Sequence, residues 1–164
     1  MRLRRYFTIW APRQTGKSTY FVQLAEELEK EGYKVAHINF ENFRQEELQA
    51  FLNRFWSKTE EQWGIDFSGK NIADIFLAIE KIKDQKFVLI IDEVEGINEA
   101  YLGTFLHSIR NTFHSRTTHA LKSVILVGVS NITGIIGDNA SPFNISHNLN
   151  VPYFTNEEVY ELLG

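Results

Sequence analysis

Two short, uninterrupted apolar runs constrain the fold of this chain more than anything else in its sequence. They are Phe87–Ile91 and Val124–Val129, and polar residues flank each of them. A run of this length without polar alternation is typical of a strand that is buried on both faces of a parallel sheet. Other short β-rich segments alternate with segments of helical periodicity. This alternation predicts an α/β domain whose parallel strands are joined by right-handed crossovers.

Hydrophobic periodicity predicts the individual elements. The predicted strands are Tyr6–Trp10, Tyr33–Phe40, Phe87–Ile91, Ser123–Val129 and Leu149–Phe154. The predicted helices cover Lys17–Glu31, with Gly32 as its C-cap, and the apolar stripes in Leu48–Trp56, Ile72–Ile82 and Leu102–Phe113. Thr155–Glu158 forms a capping box that opens a short final helix. The stretch Lys58–Gly69 shows no hydrophobic periodicity, and we predict a loop there.

Composition narrows the class of protein. A length of 164 residues with 43% hydrophobic residues predicts one globular domain with a full core. No apolar run approaches the ~20 residues that span a bilayer, and no signal peptide is recognisable. The absence of cysteine excludes disulfide frameworks, thiolate zinc sites and cysteine nucleophiles, which suits a cytoplasmic protein without a membrane partner. A pI near 5.7 gives no global electrostatic reason to bind nucleic acid.

The strongest chemical motif lies between the first predicted strand and the first predicted helix. It reads APRQTGKS and matches G-x-x-x-x-G-K-[ST] at every defined position except the first, where Ala11 replaces glycine. In such a loop, backbone N–H groups and the helix N-terminus converge on a β-phosphate. Gly16 allows close approach, Lys17 would contact the β- and γ-phosphates, and Ser18 would offer a hydroxyl to Mg²⁺. The predicted nucleotide-binding residues are Ala11, Pro12, Arg13, Gln14, Thr15, Gly16, Lys17, Ser18 and Thr19. The alternative is a Gly-Lys-Ser turn that only starts a helix.

Polar residues follow both apolar runs. Asp92-Glu93 ends the first run and Ser130-Asn131 ends the second. Because the carboxyl ends of parallel strands face the ligand crevice, these side chains should meet the phosphate loop there. Asp92 would hold Mg²⁺ through water, and Glu93 would act as general base on the attacking water. Asn131, favoured over Ser130, would reach the γ-phosphate or that water; ordinary surface turns are the alternative at both places.

These elements together resemble the AAA+ and related P-loop ATPases, with Asp92-Glu93 as the Walker B pair and Ser130-Asn131 at the sensor-1 position. APRQTGKS, LIIDEVE and SPFNI, followed by PYFTNEEVYELL, look like the prokaryotic AAA-like ATPase domain family. The resemblance implies a P-loop NTPase three-layer sandwich, with a parallel five-stranded sheet of order 5-1-4-3-2 and helices on both faces. It also implies ATP and Mg²⁺ as ligands, catalytic roles for Lys17, Glu93 and Asn131, and one core domain over residues 1–164, truncated before a helical lid.

The charge distribution departs from that family pattern. All 17 Lys and Arg precede residue 123, whereas residues 123–164 contain only acidic charges. AAA+ ATPases usually carry an arginine finger between strands four and five, which can be worth about 10³–10⁵ in rate. Arg110 and Arg116 are substitute candidates, and Arg13 could contact the γ-phosphate, although surface cations are the simpler interpretation. We therefore predict a Mg-ATP-binding core with slow or partner-dependent hydrolysis.

Two other functions stay open at this point. A nucleotide-gated switch with negligible turnover, controlling a protein partner or missing C-terminal domains, fits the same motifs. A P-loop kinase fits less well, because Asp92 and Glu93 are adjacent and no Arg-bearing lid is present. A nucleic-acid patch around His107, Arg110 and His114 is conceivable but unsupported. The histidines lack metal-ligand spacing, so no zinc site is predicted, and the sequence leaves the oligomeric state open.

Overall fold

A computed structural model describes residues 6–10, 17–65, 71–115, 118–128 and 147–150 of the chain. These ranges contain five strands, four α-helices and one 3₁₀ turn at Val94–Gly96. The elements in chain order are β1 (Tyr6–Trp10), α1 (Lys17–Lys30), β2 (Lys34–Asn39), α2 (Leu48–Trp63), α3 (Ile72–Glu80), β3 (Phe87–Asp92), α4 (Glu99–His114), β4 (Leu121–Gly128) and β5 (His147–Asn150). No helix in these ranges is long and apolar enough to cross a bilayer.

Within the sheet, β2 pairs in parallel with β3, and β3 pairs in parallel with β4. In the middle of the sheet, Ile91 of β3 lies opposite Ile38 of β2 on one side and Leu126 of β4 on the other. All six residues of β3 are buried, as the apolar run predicts. The prediction of an α/β fold with a parallel sheet is therefore confirmed.

Helices cover both faces of the sheet. One face packs against α1, and its buried cluster comprises Phe21, Leu24, Leu28, Tyr33, Val35, Val88, Ile90, Ile125 and Val127. The opposite face packs against α2, α3 and α4, whose buried residues include Phe51, Phe55, Ile75, Phe76, Phe105 and Ile109. Because side chains alternate along a strand, even-numbered residues of β3 face α1 and odd-numbered residues face the other three helices.

The end of α1 follows its predicted cap. Gly32 has a φ of +91°, in the left-handed region that favours glycine. Its N–H donates to Glu29 O, and Tyr33 N donates to Leu28 O. These two bonds satisfy carbonyl groups in the last turn that have no donor within the helix. The chain therefore leaves the helix at Gly32 and enters β2 directly.

The predicted loop at Lys58–Gly69 is wrong over Lys58–Trp63, because α2 continues to Trp63. The apolar stripe passes through Thr59, whose hydroxyl donates to Phe55 O and so suits a buried helical position. Trp63 then stacks on Phe87 with ring centroids 4.6 Å apart, and its Nε1 donates to Lys34 O at 3.0 Å. A polar residue within the stripe concealed the last turns from a periodicity argument.

The last two strands differ from their predicted bounds. β4 begins at Leu121, two residues before its predicted start at Ser123, with a register irregularity opposite Phe87–Val88. β5 covers His147–Asn150, so the prediction of Leu149–Phe154 is wrong at its start. The sequence of β5 is HNLN, which carries no apolar run to detect. Pro152 and the capping box at Thr155–Glu158 lie outside the described residues.

The amino edge of the sheet, where β2, β3 and β4 begin, is held by buried polar contacts. His119 is buried just before β4; its Nδ1 accepts from Leu121 N at 3.1 Å, so its Nε2 donates to Thr112 O at 2.8 Å. Ala120 N donates to Ile82 O, and Phe87 N donates to Ala120 O, each at 2.8 Å. These bonds tie the ends of α3 and α4 to the first residues of β3 and β4.

Candidate active site

The start of α1 directly follows the predicted phosphate loop in the chain. β1 ends at Trp10 and α1 begins at Lys17, so Lys17 and Ser18 occupy the first turn of the helix. Thr19 is exposed in the same turn. That turn contains no acidic residue, so the positive end of the helix dipole there has no competing carboxylate within the helix. The other predicted loop residues, Ala11–Gly16, lie outside the described residues.

Asp92 is the last residue of β3 and is fully buried. Val88 and Ile90 precede it by four and two residues and pack against α1, so Asp92 belongs to the same face of the sheet. Its Oδ1 accepts from Glu93 N at 2.9 Å. The carboxyl edge, where β2, β3 and β4 end, therefore presents a fixed carboxylate on the side of the sheet covered by α1.

His37 is a neighbour of Asp92 that the sequence argument missed. It lies on β2 two residues before Asn39, the register partner of Asp92. Its Nε2 lies 3.6 Å from Asp92 Oδ2, just beyond a hydrogen bond, and its ring meets Phe21 of α1 edge-on with centroids 6.2 Å apart. A histidine within a strand carries no motif, so only the register of β2 on β3 reveals this proximity.

Glu93 leaves the strand in an unusual backbone conformation. Its φ of 55° and ψ of 50° are left-handed, which costs free energy in a residue other than glycine. Its carbonyl accepts from Gly96 N at 2.8 Å, closing the 3₁₀ turn. Because the turn breaks the alternation of the strand, the half-buried Glu93 remains at the carboxyl edge beside Asp92. Strained residues of this kind cluster at functional sites.

A polar groove of about 440 Å³ opens beside Glu93. It lies between the segment after β2 and the 3₁₀ turn after β3, and its lining residues are Glu41, Asn42, Arg44, Gln45, Glu93, Glu95 and Gly96. Arg44 Nε donates to Glu95 O at 2.9 Å across the groove. The segment after β2 has neither a periodic pattern nor a recognised motif, so its sequence indicates no role.

Further contacts hold the two walls of the groove together. Asn98 Nδ2 and the Tyr101 hydroxyl both donate to Glu46 O, at 3.1 and 2.9 Å. Burial raises the pKa of the Tyr101 phenol, and the negative charge of Glu46 raises it further. A Cβ on Gly96 would lie 2.2 Å from Phe40 O, so only glycine allows this close approach. The groove is thus built from two segments that are fixed to each other.

Three other residues are predicted candidates for the site. Arg110 is half-buried on α4, while Arg116 and Asn131 lie outside the described residues. Within the ranges that the structure describes, no group of three His, Asp or Glu residues forms a metal cluster. The donor chemistry nevertheless fits Mg²⁺, which prefers carboxylate and hydroxyl oxygens and binds through one or two protein ligands and water. Asp92 offers such an oxygen on the face covered by α1.

Comparison with known proteins identifies the family. The family model described as an AAA-like domain matches residues 5–164. The chain belongs to the AAA-like domain family. An uncharacterized ATP-binding protein of Methanocaldococcus jannaschii is 24% identical over 136 residues, covering 66% of this AAA-like domain and 40% of the relative.

Solved structures share the fold of this AAA-like domain. The Walker-type ATPase of Pyrococcus abyssi superposes with a TM-score of 0.62 at 15% identity, covering 96% of this chain and 51% of that one. Cdc6p from Pyrobaculum aerophilum gives 0.60 at 14% identity, over 98% and 42%. Drosophila ORC bound to DNA gives 0.63 at 13% identity, over 97% and 40%. The chain spans about half of these proteins or less.

Proposed function

We propose that this AAA-like domain binds ATP together with Mg²⁺ and hydrolyses it slowly or when a partner completes the site. The observation that carries the proposal is Asp92, a buried carboxylate at the end of β3 on the sheet face covered by α1. The name of the Methanocaldococcus jannaschii relative supports ATP as the nucleotide. The proposal treats residues 1–164 as one core domain with sheet order 5-1-4-3-2, supported by the pairing of β2 with β3 and of β3 with β4.

In this proposal ATP binds at the start of α1. The backbone of Ala11–Thr19 holds the phosphates, and Lys17 neutralises negative charge on the β- and γ-phosphates. Ser18 and Asp92 would hold Mg²⁺, which supplies charge neutralisation to the phosphates when bound. The absence of an acidic side chain from the first turn of α1 agrees with an anion site there.

Hydrolysis requires a base beside the γ-phosphate. Glu93 accepts a proton from water as the water oxygen attacks the γ-phosphorus, and the bond to the β-γ bridging oxygen breaks to leave ADP and phosphate. Asn131 orients the water or the γ-phosphate. The left-handed backbone of Glu93, which keeps this carboxylate at the edge next to Asp92, supports the assignment.

The charge distribution favours a second candidate function, a nucleotide-gated switch. Residues 123–164 contain no Lys or Arg, so the segment that usually supplies an arginine finger has no cation to stabilise transition-state charge. A partner protein or further domains would then read the bound nucleotide or supply the missing cation. DNA, to which the Drosophila ORC neighbour is bound, is a second candidate partner. The cysteine-free sequence suits a cytoplasmic location for either function.

One paired experiment separates the hydrolase from the switch. ATP binding is titrated calorimetrically in the presence of Mg²⁺, and turnover is measured on the same protein under single-turnover conditions. Saturable binding with measurable phosphate release supports the ATPase, whereas binding with negligible release supports the switch. A protein that binds no ATP in Mg²⁺ contradicts both functions.

A further inference from the structure

Glu95 lies two residues beyond Glu93 and has no part in the chemistry described so far. Only 9% of the Glu95 surface is exposed to solvent. Glutamate is rarely buried to this degree without specific partners, because removing a carboxylate from water costs free energy unless its oxygens are bound. The burial of Glu95 therefore indicates that its carboxylate has a specific structural role.

The Glu95 carboxylate lies against the last residue of β4. A Cβ placed on Gly128 would be 2.5 Å from Glu95 Oε1 and 3.0 Å from its Cδ. Real Cβ atoms do not approach an oxygen so closely, so a side chain at position 128 would have to displace the end of the Glu95 side chain. The contact joins the turn after β3 to the end of β4, the strand that Ser130-Asn131 follows in sequence.

The turn that carries Glu95 is itself fixed on its other side. Arg44 Nε donates to Glu95 O at 2.9 Å, and Gly96 packs against Phe40 O at the end of β2. The backbone of Glu95 is thus bonded to the segment after β2, and its side chain contacts the end of β4. Glu95 and Gly96 together therefore connect the turn after β3 to the segment after β2 and to the end of β4.

We propose that Glu95 is a positioning residue of the hydrolytic site, whose buried carboxylate fixes the end of β4 against the turn that carries Glu93. The inference rests on the proposed ATPase function. Neither Glu95 nor Gly128 belongs to the predicted phosphate-binding segment Ala11–Thr19. Hydrolysis should therefore depend on Glu95, whereas ATP affinity should not.

The test of activity uses Glu95→Gln, which keeps the shape of the side chain and removes its charge. We expect single-turnover hydrolysis to slow by about tenfold, as for other residues that support a catalytic group, with the Kd for ATP changed less than about twofold. Glu41→Gln is the matched control, because Glu41 lines the same groove but is exposed. It should retain wild-type turnover; an equal loss in both variants contradicts the proposal, since groove charge would then explain it.

A double-mutant cycle tests the contact without reference to activity. Gly128→Ala is measured by urea unfolding in the wild-type chain and in Glu95→Ala. The added methyl should lower the urea midpoint in the wild-type chain and lower it less once the Glu95 carboxylate is gone. Equal losses in both backgrounds overturn the contact.

The outcomes separate this inference from the proposed function. A wild-type protein that binds no ATP overturns both, whereas wild-type turnover in Glu95→Gln overturns the positioning role alone. If ATP binds without measurable turnover, the ratio of ATP to ADP affinity is the readout, and an unchanged ratio in Glu95→Gln overturns the proposal. If Glu95→Gln does not fold, Gly128→Ala is assayed in its place, and wild-type turnover there also overturns it.

Discussion

The two edges of the central sheet differ in how their polar groups are used. At the amino edge, His119 and Trp63 donate hydrogen bonds to buried backbone carbonyls and hold helices to strands. At the carboxyl edge, Asp92, Glu93 and Glu95 place three carboxylates within four residues; Glu93 has a left-handed backbone, and Glu93 and Glu95 line a groove. Favourable pairing at the amino edge suits a role in stabilising the fold, and backbone strain at the carboxyl edge supports the proposal that the chemistry takes place there.

The largest expected effect is on stability at the amino edge. Trp63→Ala removes the stacking on Phe87 and the hydrogen bond to Lys34 O, and we expect it to lower the free energy of unfolding by about 3–5 kcal/mol. Urea unfolding measures the loss. Trp63→Phe keeps a ring against Phe87 and should lose a smaller part. A Trp63→Ala protein as stable as wild type would show that this edge does not hold the fold.

The next effect is on chemistry at the carboxyl edge. Glu93→Gln removes the proposed general base, and we expect single-turnover ATP hydrolysis to fall by about a hundredfold or more while the protein keeps its ATP affinity. Glu99→Gln, an exposed carboxylate at the start of α4, is the control. Phosphate release and calorimetric titration give the two readouts. Unchanged turnover in Glu93→Gln would show that Glu93 is not the general base.

A smaller effect is expected where His119 joins α4 to β4. His119→Ala removes the imidazole that bonds both Thr112 O and Leu121 N, which should cost about 1–3 kcal/mol of unfolding free energy. His107→Ala, on the exposed surface of α4, should change stability by less than about 0.5 kcal/mol. The comparison is made by urea unfolding at one pH. If the two variants lose the same stability, the contacts of His119 are not what joins these elements.

The smallest effect concerns Tyr101, which fixes the wall of the groove. Tyr101→Phe should cost about 0.5–1.5 kcal/mol at neutral pH by removing the hydrogen bond to Glu46 O. Because the pKa of this phenol is raised above 10.0 in the fold, the unfolded chain releases its proton first as pH rises. The tyrosine's contribution is therefore complete below pH 10 and declines above it. The stability difference between wild type and Tyr101→Phe, measured from pH 8 to 11, should shrink with pH; a constant difference contradicts the assignment.

The parallel α/β sheet could be predicted because its signals are local. Phe87–Ile91 is apolar throughout, and β3 is buried throughout. The last two turns of α2 escaped prediction because Thr59 sits in the apolar stripe and is satisfied by a helical carbonyl. The start of β5 escaped prediction because HNLN has no apolar pattern.

Within the candidate site, Asp92 and Glu93 could be named from their position after a buried strand. The contacts of His37 and Glu95 could not. His37 reaches Asp92 only through the register of β2 on β3. Glu95 reaches Gly128 across two strand ends that are far apart in sequence. Residues that act through non-local packing leave no pattern along the chain.

The most direct test of the account is an ATP titration in Mg²⁺ of the wild-type chain and Lys17→Ala, with circular dichroism to show that both are folded. Lys17 begins α1, at the proposed phosphate site. The account predicts saturable binding by wild type and at least about tenfold weaker binding by Lys17→Ala, since a charge-assisted phosphate contact is lost. Equal ATP affinity in the two folded proteins, or none in either, would contradict it.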